Sequence, residues 1–86
     1  MNHVILMGNL TRDPELKHLA SGTPVCEFSI ACNEKWKDKA SGSMKEKVHY
    51  IDCVCFGRTA EVIEEYFSKG KKILVEGKLQ YESWED

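Results

Sequence analysis

Long hydrophobic runs are missing from this sequence. The longest near the start, Val4 to Met7, is far below the roughly 20 residues that cross a bilayer and too short for the core of a secretion signal. No membrane partner and no targeting segment are therefore expected, and the default location is the cytoplasm. An excess of positive charge is also missing: the formal net charge is -2. That argues against gripping double-stranded DNA by bulk charge alone. The 4 cysteines contain no Cys-x-x-Cys. Neither a zinc frame nor a disulfide frame fits them, and buried reduced thiols acting as small hydrophobes fit better. The three histidines, His3, His18 and His49, lie in different segments, so no nucleophile, base and orienting group converge and no enzyme is expected. There are no internal repeats and no low-complexity segment. What remains is one domain of 86 residues with one small core.

The chain reads as strands with one helix. Asn2 to Leu10 is a β-rich apolar run interrupted by Gly8, and a glycine inside a strand marks a bulge or bend. Asp13-Pro14 breaks it. Glu15 to Leu19 alternates weakly as a short continuation, and Ser21-Gly22-Thr23-Pro24 signals a turn. From Val25, residues Cys26, Phe28 and Ile30 share one face of a strand. Strict alternation puts Trp36 on that same face, so it meets a ligand only if the strand twists, bulges or runs on past the core. Lys37 to Lys47 reads as a polar loop, and Val48 to Phe56 as the return strand. On that strand Tyr50, Asp52, Val54 and Phe56 oppose Ile51, Cys53 and Cys55. Thr59 to Ser68 is the one clear helix, with Val62, Ile63, Tyr66 and Phe67 inward and Glu61, Glu64 and Glu65 outward. Gly70 suits its C-terminal end, and Lys69 the negative end of its dipole. Lys71 to Trp84 reads as a long final strand with a bend at Gly77.

Val25 to Phe56 carries the chemistry. From Lys35 to Lys47 five lysines stand against Asp38 and Glu46, a local balance of +3. A second cluster, Lys69, Lys71 and Lys72, surrounds Gly70. Aromatic rings stand at the loop edge and along the return strand. Flat apolar faces interleaved with flexible cations suit a single-stranded nucleic acid, whose bases stack while its phosphates meet the charges. The alternatives are plain: a solvated hairpin tip for the lysines, core packing for Phe56, a partner chain for Trp84.

Strand, bent strand, strand, helix, strand is the order of an OB-fold. The chain closely resembles the bacterial single-stranded DNA-binding protein (SSB) family. The resemblance rests on Asn2 to Leu10 followed by Asp13-Pro14-Glu15, on Trp36 to Lys39, and on Cys55 to Glu61. It continues through Tyr66 to Gly70, Val75 to Leu79, and Trp84. It implies an all-β protein with one helix, a five-stranded Greek-key OB barrel lacking its last strand. It further implies sequence-nonspecific binding of single-stranded DNA in replication, recombination and repair, with no catalysis, no cofactor and no metal. The stacking aromatics carry over to Trp36, Tyr50, Phe56 and Trp84. The phosphate contacts carry over to Lys37, Lys39, Arg58, Lys69 and Lys72. A homotetramer pairing through Asn2 to Leu10 and a cytoplasmic, nucleoid-associated location follow from the same resemblance. Gln80, Glu82 and Asp52 depart from it, standing where relatives often carry basic residues. The family's linker and acidic C-terminal tip are absent from these 86 residues, so recruitment of replication and repair proteins is not expected. Two other readings stay open: a primosomal or RNA-binding OB protein, and an oligomerisation module with a weakened DNA face.

Overall fold

A computed structural model describes residues 1–80. Its elements are β1 (Val4–Leu10), β2 (Glu15–His18), β3 (Pro24–Lys37), β4 (Met44–Phe56), α1 (Arg58–Tyr66) and β5 (Lys72–Gly77). β3 is the spine. β4 lies along one of its edges for the whole ladder from Val25↔Phe56 to Lys37↔Met44. β2 and β1 share the other edge, through Glu15↔Glu27 to His18↔Pro24 and then Asn9↔Ala31 and Leu10↔Ile30. β5 adds to the outside of β1, from Val4↔Gly77 to Asn9↔Lys72. All the pairings are antiparallel. Among the described residues neither β4 nor β5 is paired on its second edge, so the sheet stays open on that side.

Alternation explains the core. Cys26, Phe28 and Ile30 point inward from β3, and Leu10, Ala60, Ile63 and Ile73 close over them. β1 must pass close over β3 to bring Leu10 in. A Cβ on Gly8 would lie 2.5 Å from the Ala31 carbonyl oxygen, so only glycine fits there. The Asn2 side chain extends the β1–β5 junction. Its amide nitrogen donates to the Leu79 carbonyl at 2.6 Å, and its oxygen accepts from the Leu79 N–H at 2.9 Å.

Several boundaries differ from those read in the sequence. β4 begins at Met44, not Val48, and β3 runs on to Lys37, so the connecting loop is only Asp38 to Ser43. Asp38 stitches it: the Asp38 carboxylate accepts from the Ala40 N–H at 3.0 Å and the Ser41 hydroxyl at 2.9 Å, and the Asp38 N–H donates to the Ser43 carbonyl at 2.8 Å. This is a closed turn, not a long loose tip. The helix ends at Tyr66, two residues early. Gly70 belongs to the following turn, where its N–H donates to the Leu10 carbonyl at 2.8 Å. The cation at the helix C-terminus is Lys71, whose Nζ donates to the Tyr66 carbonyl at 2.8 Å, while the Lys69 N–H is taken by Asp13. Tyr66 is exposed, and Ala60 takes the buried place beside Ile63. β5 ends at Gly77, and the rest of the expected final strand lies partly outside the described residues.

All four cysteines are free thiols, and Cys26 is fully buried. Burial pushes the Cys55 thiol from an ordinary 9.0 up to about 11, with Cys26 beside it adding to the effect. Burial also raises Cys26 and Cys53. The folded state therefore holds protons that the unfolded chain releases first. This contribution is fully present below pH 9.0 and is lost as the pH rises toward about 11. The urea midpoint is expected to fall across that window, and to fall less steeply in Cys55→Ala. Equal slopes for the two proteins would exclude Cys55 as the source.

Candidate nucleic-acid interface

β4 alternates β-branched, aromatic and small side chains, the composition of a half-buried strand. Its odd positions, Ile51, Cys53 and Cys55, turn inward and are partly buried. Its even positions, Val48, Tyr50, Asp52, Val54 and Phe56, stand exposed. Tyr50 is 71% exposed and Phe56 56%. The register explains why the Tyr50 ring stays uncovered. Tyr50 lies opposite Ala31, and Asp52 opposite Ser29, whose side chains are too small to cover a ring. The result is an exposed strip with Asp52 between its two rings, which stand roughly 20 Å apart along the strand.

The ladders extend this strip sideways. Tyr50 pairs with Ala31, Ala31 with Asn9, and Asn9 with Lys72, so one row runs across β4, β3, β1 and β5. An aromatic ring stands at one end of the row and an ammonium at the other. Three strand spacings separate them, roughly 14 Å. Asn9 is held within the row by its own side chain, which donates to the Gly70 carbonyl at 2.8 Å. Arg58 opens α1 two residues after Phe56 and is exposed.

Trp36 sits apart from this strip. No bulge interrupts the ladder, so Trp36 faces Lys45 on the side of the β3–β4 ribbon opposite Tyr50 and Phe56. It reaches solvent because β3 runs on past the core, leaving Trp36 43% exposed. Lys37 and Lys39 flank the same tip, and Lys69 lies in the turn after α1. Among the described residues, Lys37, Lys39, Arg58, Lys69 and Lys72 enter no ion pair. The pairs present are His3–Glu76, His49–Glu34 and Lys17 with Glu15 and Glu27. The structure thus joins Tyr50 and Lys72 in one row, with Phe56 on the same face of β4, puts Arg58 at the start of α1, and gathers Trp36, Lys37 and Lys39 at the hairpin tip. Trp84 lies outside the described residues, as does Glu82. The row through Asn9 and Ala31 carries no sequence signal, because it depends on register alone. No described group of three or more His, Cys, Asp or Glu is placed to hold a metal ion.

The sequence profile of the single-strand binding protein family matches residues 1–86, the whole chain. The chain belongs to that family. Single-stranded DNA-binding proteins of Wolinella succinogenes and Helicobacter hepaticus are each 51% identical to it over 85 residues, 99% of the chain. It spans about half of these relatives, 52% and 49% of their lengths. Among solved structures, the Plasmodium falciparum SSB complex with single-stranded DNA superposes with a TM-score of 0.92 at 30% identity. That superposition covers 100% of this chain and 76% of the other. A deletion variant of the Thermus aquaticus single-stranded DNA-binding protein superposes with a TM-score of 0.88 at 31% identity, over 100% of this chain and 42% of that one. The open sheet with one helix is therefore the SSB family's OB-fold. SSB-family proteins bind and do not catalyse.

Proposed function

We propose that this chain binds single-stranded DNA without sequence preference, in the service of replication, recombination and repair. The observation that carries the reading is the uncovered face of β4, where two rings stand exposed, Tyr50 over Ala31, and a row leads from Tyr50 across the sheet to Lys72. Every base has a π-face, so rings on such a strip stack any sequence. Tyr50 and Phe56 are the central platforms, with Trp36 on the hairpin tip and Trp84 taking further bases. Lys37, Lys39, Arg58, Lys69 and Lys72 meet phosphates. The setting is the cytoplasm, on the nucleoid.

Self-association belongs to the same reading. Ile5, Met7 and Leu74 are exposed side by side on the outer faces of β1 and β5, with Met7 and Leu74 as register partners. An apolar patch of this kind on a paired edge suits a second copy of the chain, in line with a homotetramer built through Asn2 to Leu10.

The test is intrinsic tryptophan fluorescence during titration with oligo(dT), repeated over a range of salt. Strong quenching is expected, reduced in Trp36→Ala and in Trp84→Ala. The logarithm of the affinity should fall with the logarithm of salt by roughly 0.7 per phosphate contacted, or about 3.5 if all five cations engage. No quenching at low salt would sink the reading. Equal competition by an RNA oligomer would move it to the RNA-binding alternative.

A further inference from the structure

Past the core, the Trp36 face of the β3–β4 ribbon carries a single acid. Cys32, Glu34 and Trp36 share that face on β3, and the register sets His49, Lys47 and Lys45 opposite them in turn. Glu34 therefore stands directly opposite Lys47, a cross-strand pair of opposite charge that ordinarily attracts. Glu34 takes a different partner. It turns to the diagonal neighbour, and the His49 Nε2–H donates to the Glu34 Oε2 at 2.9 Å. A carboxylate only accepts, so the ring proton sits on Nε2. Among the described residues Lys45 and Lys47 then enter no ion pair. The other acids of the ribbon are elsewhere: Glu46 lies on the opposite face, across from Lys35, and Asp38 is engaged within the turn.

The surroundings of the ring are simple. His49 faces its register partner Cys32 and the diagonal Glu34 on β3, with Lys47 and Ile51 beside it on β4. β1 passes Cys32 at Gly8 and carries no titratable side chain. α1 lies toward the other end of the ladder, where Glu64 bears on the Cys26 thiol. Among the described residues on this face, Glu34 is thus the one negative charge at the ring. Without the imidazole, the carboxylate's nearest cation is the Lys47 ammonium across the ladder. Pairing there would neutralise a cation two residues from Lys45 and beside the Trp36 ring.

We propose that His49 is a positioning residue for phosphate binding at the hairpin tip. By holding the Glu34 carboxylate it keeps Lys47 free, with Lys45, for the phosphates of a strand whose base lies on Trp36. The proposal rests on the single-stranded DNA reading above. It gives binding a pH dependence of definite sign. Histidine takes up its second ring proton near pH 6.5, roughly. The imidazolium then grips the carboxylate through a charge-assisted bond and adds a positive charge to the face. Carboxylates titrate at about 4, so Glu34 stays ionised throughout. Affinity for a phosphate chain therefore rises as the pH falls through the histidine range and is lowest above it.

The experiment measures the anisotropy of labelled oligo(dT) at fixed salt, at about pH 7.5 and about pH 5.5, on either side of the histidine range. His49→Ala should bind roughly 1.5- to 5-fold more weakly at the higher pH, the scale of one exposed ion pair. That loss should vanish when Glu34 is already Gln, because no carboxylate is left to take Lys47. His49→Gln still donates an N–H to Glu34, so it should keep the wild-type affinity at the higher pH and lose most of the rise at the lower one. His18→Gln, at the far end of β3 opposite Pro24, should keep the whole rise. Both members of the pair are exposed, 43% for His49 and 61% for Glu34, so the melts should match the wild type. The proposal is overturned if His49→Ala binds as the wild type does, or if its loss is the same with and without Glu34. It is also overturned if the rise on acidification survives His49→Gln undiminished. Each of these results leaves the single-stranded DNA reading standing, whereas no binding by the wild type at either pH overturns both.

Discussion

Tyr50→Ala is expected to weaken binding of oligo(dT) by roughly 5- to 150-fold, the equivalent of about 1–3 kcal/mol for one lost stacking platform. The ring is 71% exposed and stands over Ala31, so its removal leaves the core packing intact. Thermal unfolding should therefore hardly move, which separates a binding effect from a folding effect. Tyr50→Trp should restore binding, because the larger face stacks at least as well. Phe56→Ala should give a loss of the same order. The two rings are far enough apart, roughly 20 Å along the strand, that the double variant should lose about the product of the single effects. Fluorescence anisotropy of a labelled oligo(dT) at one fixed salt concentration reads all four proteins. Wild-type affinity in the double variant would remove β4 from the interface.

Gly8→Ala is expected to destabilise the fold by about 1–3 kcal/mol, the usual cost of forcing volume into a packed site. The added Cβ would meet the Ala31 carbonyl oxygen at 2.5 Å, its carbonyl carbon at 3.0 Å and the Cys32 Sγ at 3.1 Å. Two of these atoms are backbone and cannot rotate away, so β1 must lift from β3. That movement loosens the Asn9↔Ala31 and Leu10↔Ile30 pairs and draws Leu10 from the core. A domain of this size should lose roughly 4–8 °C in Tm per kcal/mol. Gly77→Ala is the matched control, since its added Cβ would meet nothing within 4 Å. Circular dichroism melts should separate the two by at least several degrees. A Gly8→Ala variant as stable as Gly77→Ala would mean that β1 crosses β3 with room to spare.

Local patterns in the sequence carry the faces of each strand, and tertiary pairing carries their ends. Alternation alone sorts Tyr50, Val54 and Phe56 outward and Ile51, Cys53 and Cys55 inward on β4. It also puts Trp36 on the side of Phe28, where the ladder has it, and its exposure comes from the length of β3. That length is not legible: apart from Trp36 and Met44, Asn33 to Lys37 and Met44 to Lys47 are polar, and they become strand because each supplies the other's hydrogen-bonding partners. The helix is legible from its apolar period, but its end is not. Asp13, distant in sequence, takes the Lys69 N–H at 2.8 Å and helps fix the turn through Gly70. The row Tyr50, Ala31, Asn9, Lys72 is the least legible feature, since register between distant strands leaves no mark on any one of them.

The two ladders that meet in that row differ in how far apart their residues lie along the chain. The β3–β4 hairpin closes across the short Asp38 to Ser43 turn, whereas the β1–β5 ladder joins Val4 to Gly77. Chain closure costs more entropy as the loop grows, and distant pairings are made late. The order of assembly follows. The hairpin, with its whole aromatic strip already aligned, should form in the transition state for folding, and the closing of β1 onto β5 should come after the barrier. Φ-values near zero on β5, beside larger ones at Ile30 and Ile51, would record that sequence of events. A chain with these kinetics aligns the rings of β4 before β1 has met β5.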